Sequence, residues 1–259
     1  MSTEPARPVP EVEILTLDGE EDAVLTRSHL LRLHSRPGAF LVLDLRRSRL
    51  DDPGALLEDL GRTARGNGQE LRVLGRTAPP PEPDARGLEA ALGESIPGLA
   101  FRVSLPCRTE YLPELRRFFS ARVSERFGEG CAFRFEVVMD ELCLNAVEHS
   151  PSRDSRFEVE CTTDGDTLHL VVSNEHPRQV DSSRIMTRRL REFDPSGTYM
   201  GERGRGLFLI ARLVDGLNIR TGEGRVQVHV WKEMGGTQEG EKSGRPPCGP
   251  ARGGAGEGR

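Results

Sequence analysis

The chain has 259 residues, 36% of them hydrophobic, and a formal net charge of −5 at neutral pH. This length leaves room for two domains of ordinary size. There is no block rich in lysine or arginine, so the charge pattern argues against a nucleic-acid surface. No apolar run approaches the roughly 18 residues that would span a bilayer. The opening MSTEPARPVPEVE lacks the basic and apolar regions of a signal peptide.

The cysteines favour a cytoplasmic protein. There are five, an odd number, and none of them forms a C-x-x-C pair. This usage is typical of a reducing compartment and indicates no zinc site.

The N-terminal part of the chain alternates between short apolar strands and helices. Residues 1–10 include three prolines and are predicted to be a loose leader. We predict strands at 11–17, 40–45 and 71–74, helices at 29–33, 54–65 and 85–92, and a proline-rich loop at 78–84. This β-α-β-α-β order predicts an α/β domain over residues 11–100.

Residues 134–151, RFEVVMDELCLNAVEHSP, are predicted to form the central helix of the chain. One set of apolar residues recurs at three- and four-residue intervals, as in a helix that packs on a core. A second set makes the remaining face apolar, so we expect the helix to be largely buried. The first set is Phe135, Val138, Met139, Leu142 and Ala146, and the second is Val137, Leu144 and Val147.

Glu141, Asn145 and His149 stand at positions i, i+4 and i+8 of this helix. Since a helix turns about 100° per residue, they form one polar stripe. A buried carboxylate without partners is costly, so Glu141 should face a polar cavity or a ligand, where it could act as a general base. The side-chain oxygen of Asn145 suits Mg²⁺. The alternative is a solvated polar edge, because such pairs are common on ordinary helices.

A glycine-rich segment, GERGRG, occupies residues 201–206 and runs into the apolar stretch LFLIARLV. Gly201, Gly204 and Gly206 would let the backbone approach a ligand closely. The apolar stretch begins at Leu207 and predicts a helix whose N-terminal amides and dipole would attract an anion. A flexible hinge is the alternative.

The rest of the C-terminal half predicts strands. Residues 157–161 and 167–173 alternate on either side of Asp164-Gly165-Asp166, a hairpin signal. Residues 225–231 form the last strand, with valines on one face. The tail, residues 234–259, is dominated by glycine, proline and charge and is predicted to be disordered.

The segments ELCLNAVEH, residues 141–149, and GERGRGLFLIARLVD, residues 201–215, resemble the two ATP boxes of the Bergerat-type (GHKL) ATPase superfamily. The closer resemblance is to its anti-sigma-factor serine kinases, and it covers residues 101–233. It implies an α/β sandwich, a mixed sheet covered by helices, that binds ATP and Mg²⁺. It also implies Glu141 as the catalytic base, Asn145 as the metal ligand, and a nucleotide site made of Asn145, His149, Asn174, Gly201, Gly204, Gly206 and Leu207.

The expected adenine-binding box departs from the pattern of that family, which has Asp-x-Gly-x-Gly with an aspartate that accepts a hydrogen bond from adenine. Asn174 keeps an acceptor oxygen but loses the charge, and His176 replaces the first glycine. Pro177 removes a backbone donor. The phosphate half of the pocket therefore follows the family and the adenine half does not. Residues 179–200 correspond to the lid over the pocket.

Residues 11–100 show a second resemblance, to STAS domains, the fold of anti-sigma-factor antagonists. It rests on LDGEEDAVLTRSHLL and on LVLDLRRSRLDDPGALLEDLGRTARGNGQELRVLG. In STAS antagonists, the loop after the apolar strand carries a serine that accepts phosphate from the partner kinase. Pro53 occupies that position here and has no hydroxyl. A proline in the first turn of a helix is also a plain structural choice.

Together the resemblances imply a cytoplasmic bacterial regulator, STAS-like and then kinase-like, in partner-switching control of a sigma factor. The expected partners are a sigma factor, a separate STAS antagonist that is phosphorylated on serine, or both, and the protein could be a homodimer. The alternative is a pseudokinase, a scaffold that binds partner proteins with weak or no ATP binding. We expect neither a nucleic acid nor a membrane as partner.

Overall fold

The computed structural model describes residues 9–16, 39–46, 48, 54–75, 87–152, 155–175, 205–222 and 224–234. Several sequence predictions lie outside these ranges: residues 1–8 of the leader, the helix at 29–33, the loop at 78–84, Pro53, the lid at 179–200 and most of the tail. None of the helices in the described part of the chain is long and apolar enough to cross a membrane.

Eight strands and five helices make up the described residues. The strands are β1 Glu11–Thr16, β2 Phe40–Asp44, β3 Glu70–Leu74, β4 Phe101–Pro106, β5 Arg156–Asp164, β6 Thr167–Glu175, β7 Gly216–Gly222 and β8 Arg225–Glu233. The helices are α1 Gly54–Gly66, α2 Leu88–Ser95, α3 Leu112–Phe127, α4 Glu129–Glu148 and α5 Arg205–Leu213, and a 3₁₀ turn, Thr109–Tyr111, precedes α3.

All eight strands belong to one sheet, in the order β3-β2-β1-β4-β5-β6-β8-β7. The pairs β3–β2, β2–β1 and β1–β4 are parallel, and the remaining pairs are antiparallel. The expected mixed sheet with helices is confirmed. The sheet is continuous across residue 100, because Val12 of β1 pairs with Val103 of β4. The domain boundary at that residue and the STAS-like character of residues 11–100 stay predictions.

The two faces of the sheet carry separate cores because side chains alternate along a strand. On β1, Ile14 belongs to the large core under α2, α3, α4 and α5, whereas Leu15 belongs to a smaller core under α1. Leu60 and Ala64 of α1 close that smaller core against β2. Helix α1 therefore packs on one face of the sheet, and the other helices pack on the opposite face.

A buried ion pair crosses from the N-terminal strands to the antiparallel half. Glu13 on β1 is 3% exposed, and its Oε2 accepts a hydrogen bond of 2.7 Å from Nη2 of Arg156 on β5. The same guanidinium donates to the backbone oxygens of Ile14 and Ser104. Because β4 lies between the two strands, Arg156 holds three strands in register.

The central helix α4 differs from its prediction in position and burial. It begins at Glu129, directly after Gly128, whose φ of 85° ends helix α3. The first predicted apolar set is buried against the sheet, but the second is not: Val137 and Val147 are half-buried and Leu144 is 37% exposed. Phe133, before the predicted start of the helix, is 70% exposed. An apolar helix sequence alone does not show how many of its faces find a partner.

Strand β7 was not predicted. Only two of its residues, Leu217 and Ile219, alternate as apolar positions, which is too short a pattern to stand out. They pair with Val230 and Val228 of β8 at the edge of the sheet. Gly216 is required at the start of β7, because a Cβ there would collide with the indole of Trp231.

The aromatic core between β4, α3 and α4 should carry much of the stability. Phe119 is fully buried, with ring centroids 6.4 Å from Phe101 and 6.1 Å from Phe135. Phe119→Ala should lower the free energy of unfolding by about 3–5 kcal/mol. The matched control Phe133→Ala, on the exposed side of α4, should change it by less than about 0.5 kcal/mol. Urea unfolding of both variants tests this, and equal losses would contradict it.

Candidate functional site

The two sequence boxes meet where α4 passes the start of α5. Gly206, in the first turn of α5, lies directly against the carboxylate of Glu141 on α4. A Cβ at position 206 would collide with that carboxylate, so any larger residue there would require the Glu141 side chain to turn away from α5. Leu207 points the other way, is 7% exposed and anchors α5 in the main core. The polar side of the junction thus joins an acidic side chain to the N-terminus of a helix.

Glu141 is partly buried and its ionisation is perturbed. Burial raises the pKa of this carboxyl above its ordinary value, and the charges of Asp140 and Glu148 raise it further. A proton acceptor works best when its pKa is close to the working pH, so the shift is in the direction that a general base needs. The sequence reasoning did not single out Asp140 and Glu148. Both carboxylates were visible in the sequence, at positions i−1 and i+7 of the same helix, but neither spacing places a side chain directly beside position i.

The polar stripe is shorter than predicted. Asn145 is partly buried one turn beyond Glu141, but the helix ends at Glu148. His149 is exposed, with φ −98° and ψ 6°, and its backbone N–H caps the carbonyl of Asn145 at 3.0 Å. The prediction of His149 as a third helical position is therefore wrong. The cause is the proline at position 151, which cannot continue the helix.

Asn174 lies at the end of β6, beside the last turn of α4, and is 7% exposed. Its Nδ2 donates to the backbone oxygen of Ala146 at 3.4 Å and to that of Glu175 at 3.1 Å. The amide nitrogen is thus used to join β6 to α4. The side-chain oxygen is the atom of Asn174 that is suited to accept a hydrogen bond from a ligand.

The structure brings Glu141 and Gly206 into contact and turns the neighbouring Leu207 into the core. It places Asn145 on the same helix as Glu141, and Asn174 of β6 beside the last turn of that helix. Gly201, Gly204 and His176 lie outside the described residues. Within the described ranges, no group of three His, Cys, Asp or Glu side chains is placed to hold a metal ion. The metal role of Asn145 stays a prediction.

The contact between Gly206 and Glu141 makes a double-mutant test possible. Gly206→Ala should destabilise the protein by at most about 1 kcal/mol, because the methyl group displaces the flexible side chain of Glu141 from its contact with α5. In a Glu141→Ala background, Gly206→Ala should lower the free energy of unfolding by less than about half as much. The reason is that the carboxylate which the methyl group would meet is then absent, so the two changes are not additive. Gly130→Ala is the matched control: nothing lies within 4 Å of a Cβ there, and it should be neutral or stabilising. Equal costs in both backgrounds would contradict the contact.

Solved structures similar to this chain include bacterial histidine kinases. The mycobacterial sensor histidine kinase MprB is 19% identical over 39% of this chain and 72% of its own, with a TM-score of 0.31. The catalytic domain of histidine kinase ThkA, nucleotide-free, is 13% identical over 51% and 95%, with a TM-score of 0.34. Acinetobacter baumannii AdeS is 11% identical over 82% and 95%, with a TM-score of 0.30. Such low values carry no functional argument. No curated protein matches significantly.

The family comparison is more specific. Residues 105–232 match the family described as "Histidine kinase-like ATPase domain". The matched range begins inside β4 and ends inside β8, so it contains α4, α5, β6 and the junction of Glu141 with Gly206. A domain of this type implies ATP binding, usually with Mg²⁺. Residues 105–232 of this chain are therefore a histidine kinase-like ATPase domain of the GHKL type.

Proposed function

We propose that the domain of residues 101–233 is an ATP-dependent serine kinase that phosphorylates a separate STAS antagonist protein. It would act in the bacterial cytoplasm in partner-switching control of a sigma factor. The observation that carries the proposal is the direct contact between Glu141 and Gly206. A carboxylate with a raised pKa lies at the N-terminus of a helix, where a phosphate is favoured.

The residues present fit a nucleotide at the phosphate end. The first turn of α5, whose free amides and dipole favour negative charge, lies beside Glu141 and would face the phosphates of the nucleotide. Asn145 would hold Mg²⁺ through its side-chain oxygen. When bound, Mg·ATP supplies the phosphoryl group. Glu141 would accept the proton of the attacking serine hydroxyl on a carboxylate oxygen, which strengthens the nucleophile.

The N-terminal region would then act in binding and not as phosphoacceptor, because Pro53 has no hydroxyl. A sigma factor and a separate antagonist are the proposed partners of the whole protein, and a homodimer is compatible with this role. Competition between the two partners is the essence of partner switching.

A pseudokinase scaffold is the second candidate, and one observation favours it. Asn174 replaces a charged acceptor by a neutral one, and charge-assisted hydrogen bonds are about twice as strong as neutral ones. Its amide nitrogen is also tied to two backbone oxygens. A weakened adenine contact would leave the fold able to bind proteins with little or no ATP.

Glu141→Gln tests the kinase directly. The change removes the proton acceptor but keeps the shape, so phosphotransfer should be abolished while nucleotide affinity stays within a few-fold. The measurement uses ATP labelled on the terminal phosphate with a panel of purified STAS antagonists. Calorimetry reports ATP binding in the same preparations. Equal transfer by the variant and the parent would contradict the role of Glu141.

Glu148→Gln is the companion variant, because Glu148 is exposed and acts on Glu141 through its charge alone. Transfer should persist, and its rate should rise with pH as Glu141 loses its proton. In the parent this rise should centre above the ordinary pKa of a glutamate, since the pKa of Glu141 is raised. In Glu148→Gln the rise should move to lower pH. If the pH dependence of the transfer rate is the same in the variant and the parent, the group that titrates is not Glu141.

Asn174→Asp separates the two candidate functions. Restoring a charged acceptor should tighten ATP binding by about two- to tenfold and leave GTP almost unchanged, because guanine offers a carbonyl at that place. The aspartate cannot donate to Ala146 and Glu175, so the free energy of unfolding should fall by about 1–3 kcal/mol. Calorimetry and urea unfolding measure the two effects. A parent and a variant that both fail to bind ATP would favour the scaffold.

A further inference from the structure

Two histidines meet on the face of the sheet that points away from α3, α4 and α5. Their neighbours along the strands, Leu170 on β6 and Val230 on β8, belong to the large core under those helices. Because side chains alternate along a strand, His169 of β6 and His229 of β8 project to the other face. Both histidines are half-buried. The pair therefore lies on the side of the sheet opposite to α4.

The register of the sheet brings the two imidazole rings together. In the pairing of β6 with β8, Val171 faces His229 and His169 faces Trp231, so the two histidines are diagonal neighbours on one face. Nδ1 of His169 and Nε2 of His229 are 3.2 Å apart, and the ring planes are inclined by 33°. Each ring thus presents one nitrogen to the space between them.

Trp231 fixes the position of His229. The centroids of the two rings are 5.2 Å apart, with an angle of 46° between the ring planes. Gly216 on β7 faces Trp231, and the indole occupies the space that a Cβ at position 216 would need. The imidazole of His229 therefore packs against a large ring that is itself held by the neighbouring strand. A side chain held in this way is preorganised as a ligand.

The protonation state of His229 suits a metal ligand. Burial lowers the pKa of His229 below its ordinary value, and the charges of His169 and Arg220 lower it further, against a smaller opposite effect of Glu160. His229 is therefore neutral at neutral pH, and a neutral imidazole has one nitrogen with a free lone pair. Within the pair one nitrogen donates a hydrogen bond to the other. A metal ion bound between the rings would replace that shared proton.

The separation of the two nitrogens matches the distance that a metal ion sets between two neighbouring ligands. Zn²⁺ binds an imidazole nitrogen at about 2.0–2.1 Å. At that bond length, two nitrogens are about 2.9 Å apart for a right angle at the metal and about 3.3 Å apart for a tetrahedral angle. The observed 3.2 Å lies between these values. A metal ion can therefore enter with a turn of the rings and without a change of the strands.

We propose that His169 and His229 bind a late first-row divalent metal ion, with Cu²⁺ bound most tightly and Zn²⁺ and Ni²⁺ less tightly. Imidazole nitrogen suits these ions, and affinities of such sites generally peak at Cu²⁺. In the described part of the chain no third His, Cys, Asp or Glu joins the pair, so water would fill the remaining positions. The site differs from the Mg²⁺ site proposed at Asn145, because Mg²⁺ prefers oxygen ligands.

The test uses Trp231, the single tryptophan of the chain, as its reporter. Cu²⁺ is paramagnetic and should quench the fluorescence of an indole that packs against one of its ligands. Titration of the full chain with Cu²⁺ should therefore quench the emission to saturation. Zn²⁺ and Ni²⁺ should compete with Cu²⁺, and Mg²⁺ should not compete at equal concentration. Absence of saturable quenching, or competition by Mg²⁺ as strong as that by Zn²⁺, would overturn the proposal.

Variants localise the metal ion. His169→Gln and His229→Gln each remove one ligand and should each weaken Cu²⁺ binding by at least about tenfold. Thr162→Val is the matched control: Thr162 faces His169 on β5, and its loss removes no nitrogen, so the affinity should change by less than about twofold. If either histidine variant binds Cu²⁺ as tightly as the parent, the assignment is wrong.

Two further measurements keep the test independent of the folding of any one variant. Melting curves without metal check that each variant is folded. A metal ion that binds the folded state should then raise the melting temperature of the parent and of Thr162→Val more than that of the histidine variants. Electron paramagnetic resonance of the parent with Cu²⁺ should show coupling to two imidazole nitrogens. A spectrum with oxygen ligands alone would overturn the assignment without any variant.

Discussion

The ion pair between Arg156 and Glu13 is the interaction on which the joining of the two halves of the chain depends. A carboxylate that is 3% exposed would be very costly without a cation, and Arg156, which lies across β4, supplies one to Glu13 at 2.7 Å. The same guanidinium satisfies two backbone oxygens. When β1 pairs with β4, Glu13 of β1 therefore meets the guanidinium of Arg156 on β5. This contact supports the joining of the parallel and antiparallel strands into one sheet.

Helix α3 connects the two polar regions that this sheet carries. Glu114 in its first turn, and Tyr111 just before it, line a cavity together with Asp44 and Arg46. Two residues after Glu114, Arg116 forms ion pairs with two carboxylates of α4. The distances are 3.0 Å to Asp140 and 3.4 Å to Glu136. Asp140 is the immediate neighbour of Glu141 and raises the pKa of Glu141. A single rigid helix thus contacts the wall of the cavity at one end and the electrostatic surroundings of Glu141 a turn later.

How far the sequence could predict this molecule depended on the kind of signal. Periodic apolar residues placed β2, β6, β8, α1 and α4 within a few residues of where they lie, because a buried stripe needs a regular pattern. Strand β7 has only Leu217 and Ile219 as signal and was missed. The junction of Glu141 with Gly206 was implied by resemblance to a family. The cluster of Asp44, Arg46 and Tyr111 was not foreseen, since residues 67 positions apart meet only through the order of the strands.

The amide of Asn174 gives a physical reason for the departure from an aspartate at this position. The last carbonyls of a helix lack partners within it. In α4, the oxygen of Asn145 accepts from His149 N–H, the oxygen of Val147 accepts from Ser150 N–H, and the oxygen between them is left to a side chain.

Asn174 provides that side chain, since its Nδ2 donates to the oxygen of Ala146. An aspartate at position 174 would place a carboxylate oxygen, which accepts hydrogen bonds, beside the backbone oxygen of Ala146, which also accepts them. It would leave a buried carbonyl unsatisfied and add repulsion between the two oxygens. The neutral amide therefore strengthens the join between β6 and α4 by the same change that removes a charge from the predicted adenine end. The stabler helix end therefore follows from the same nitrogen atom that distinguishes Asn174 from an aspartate.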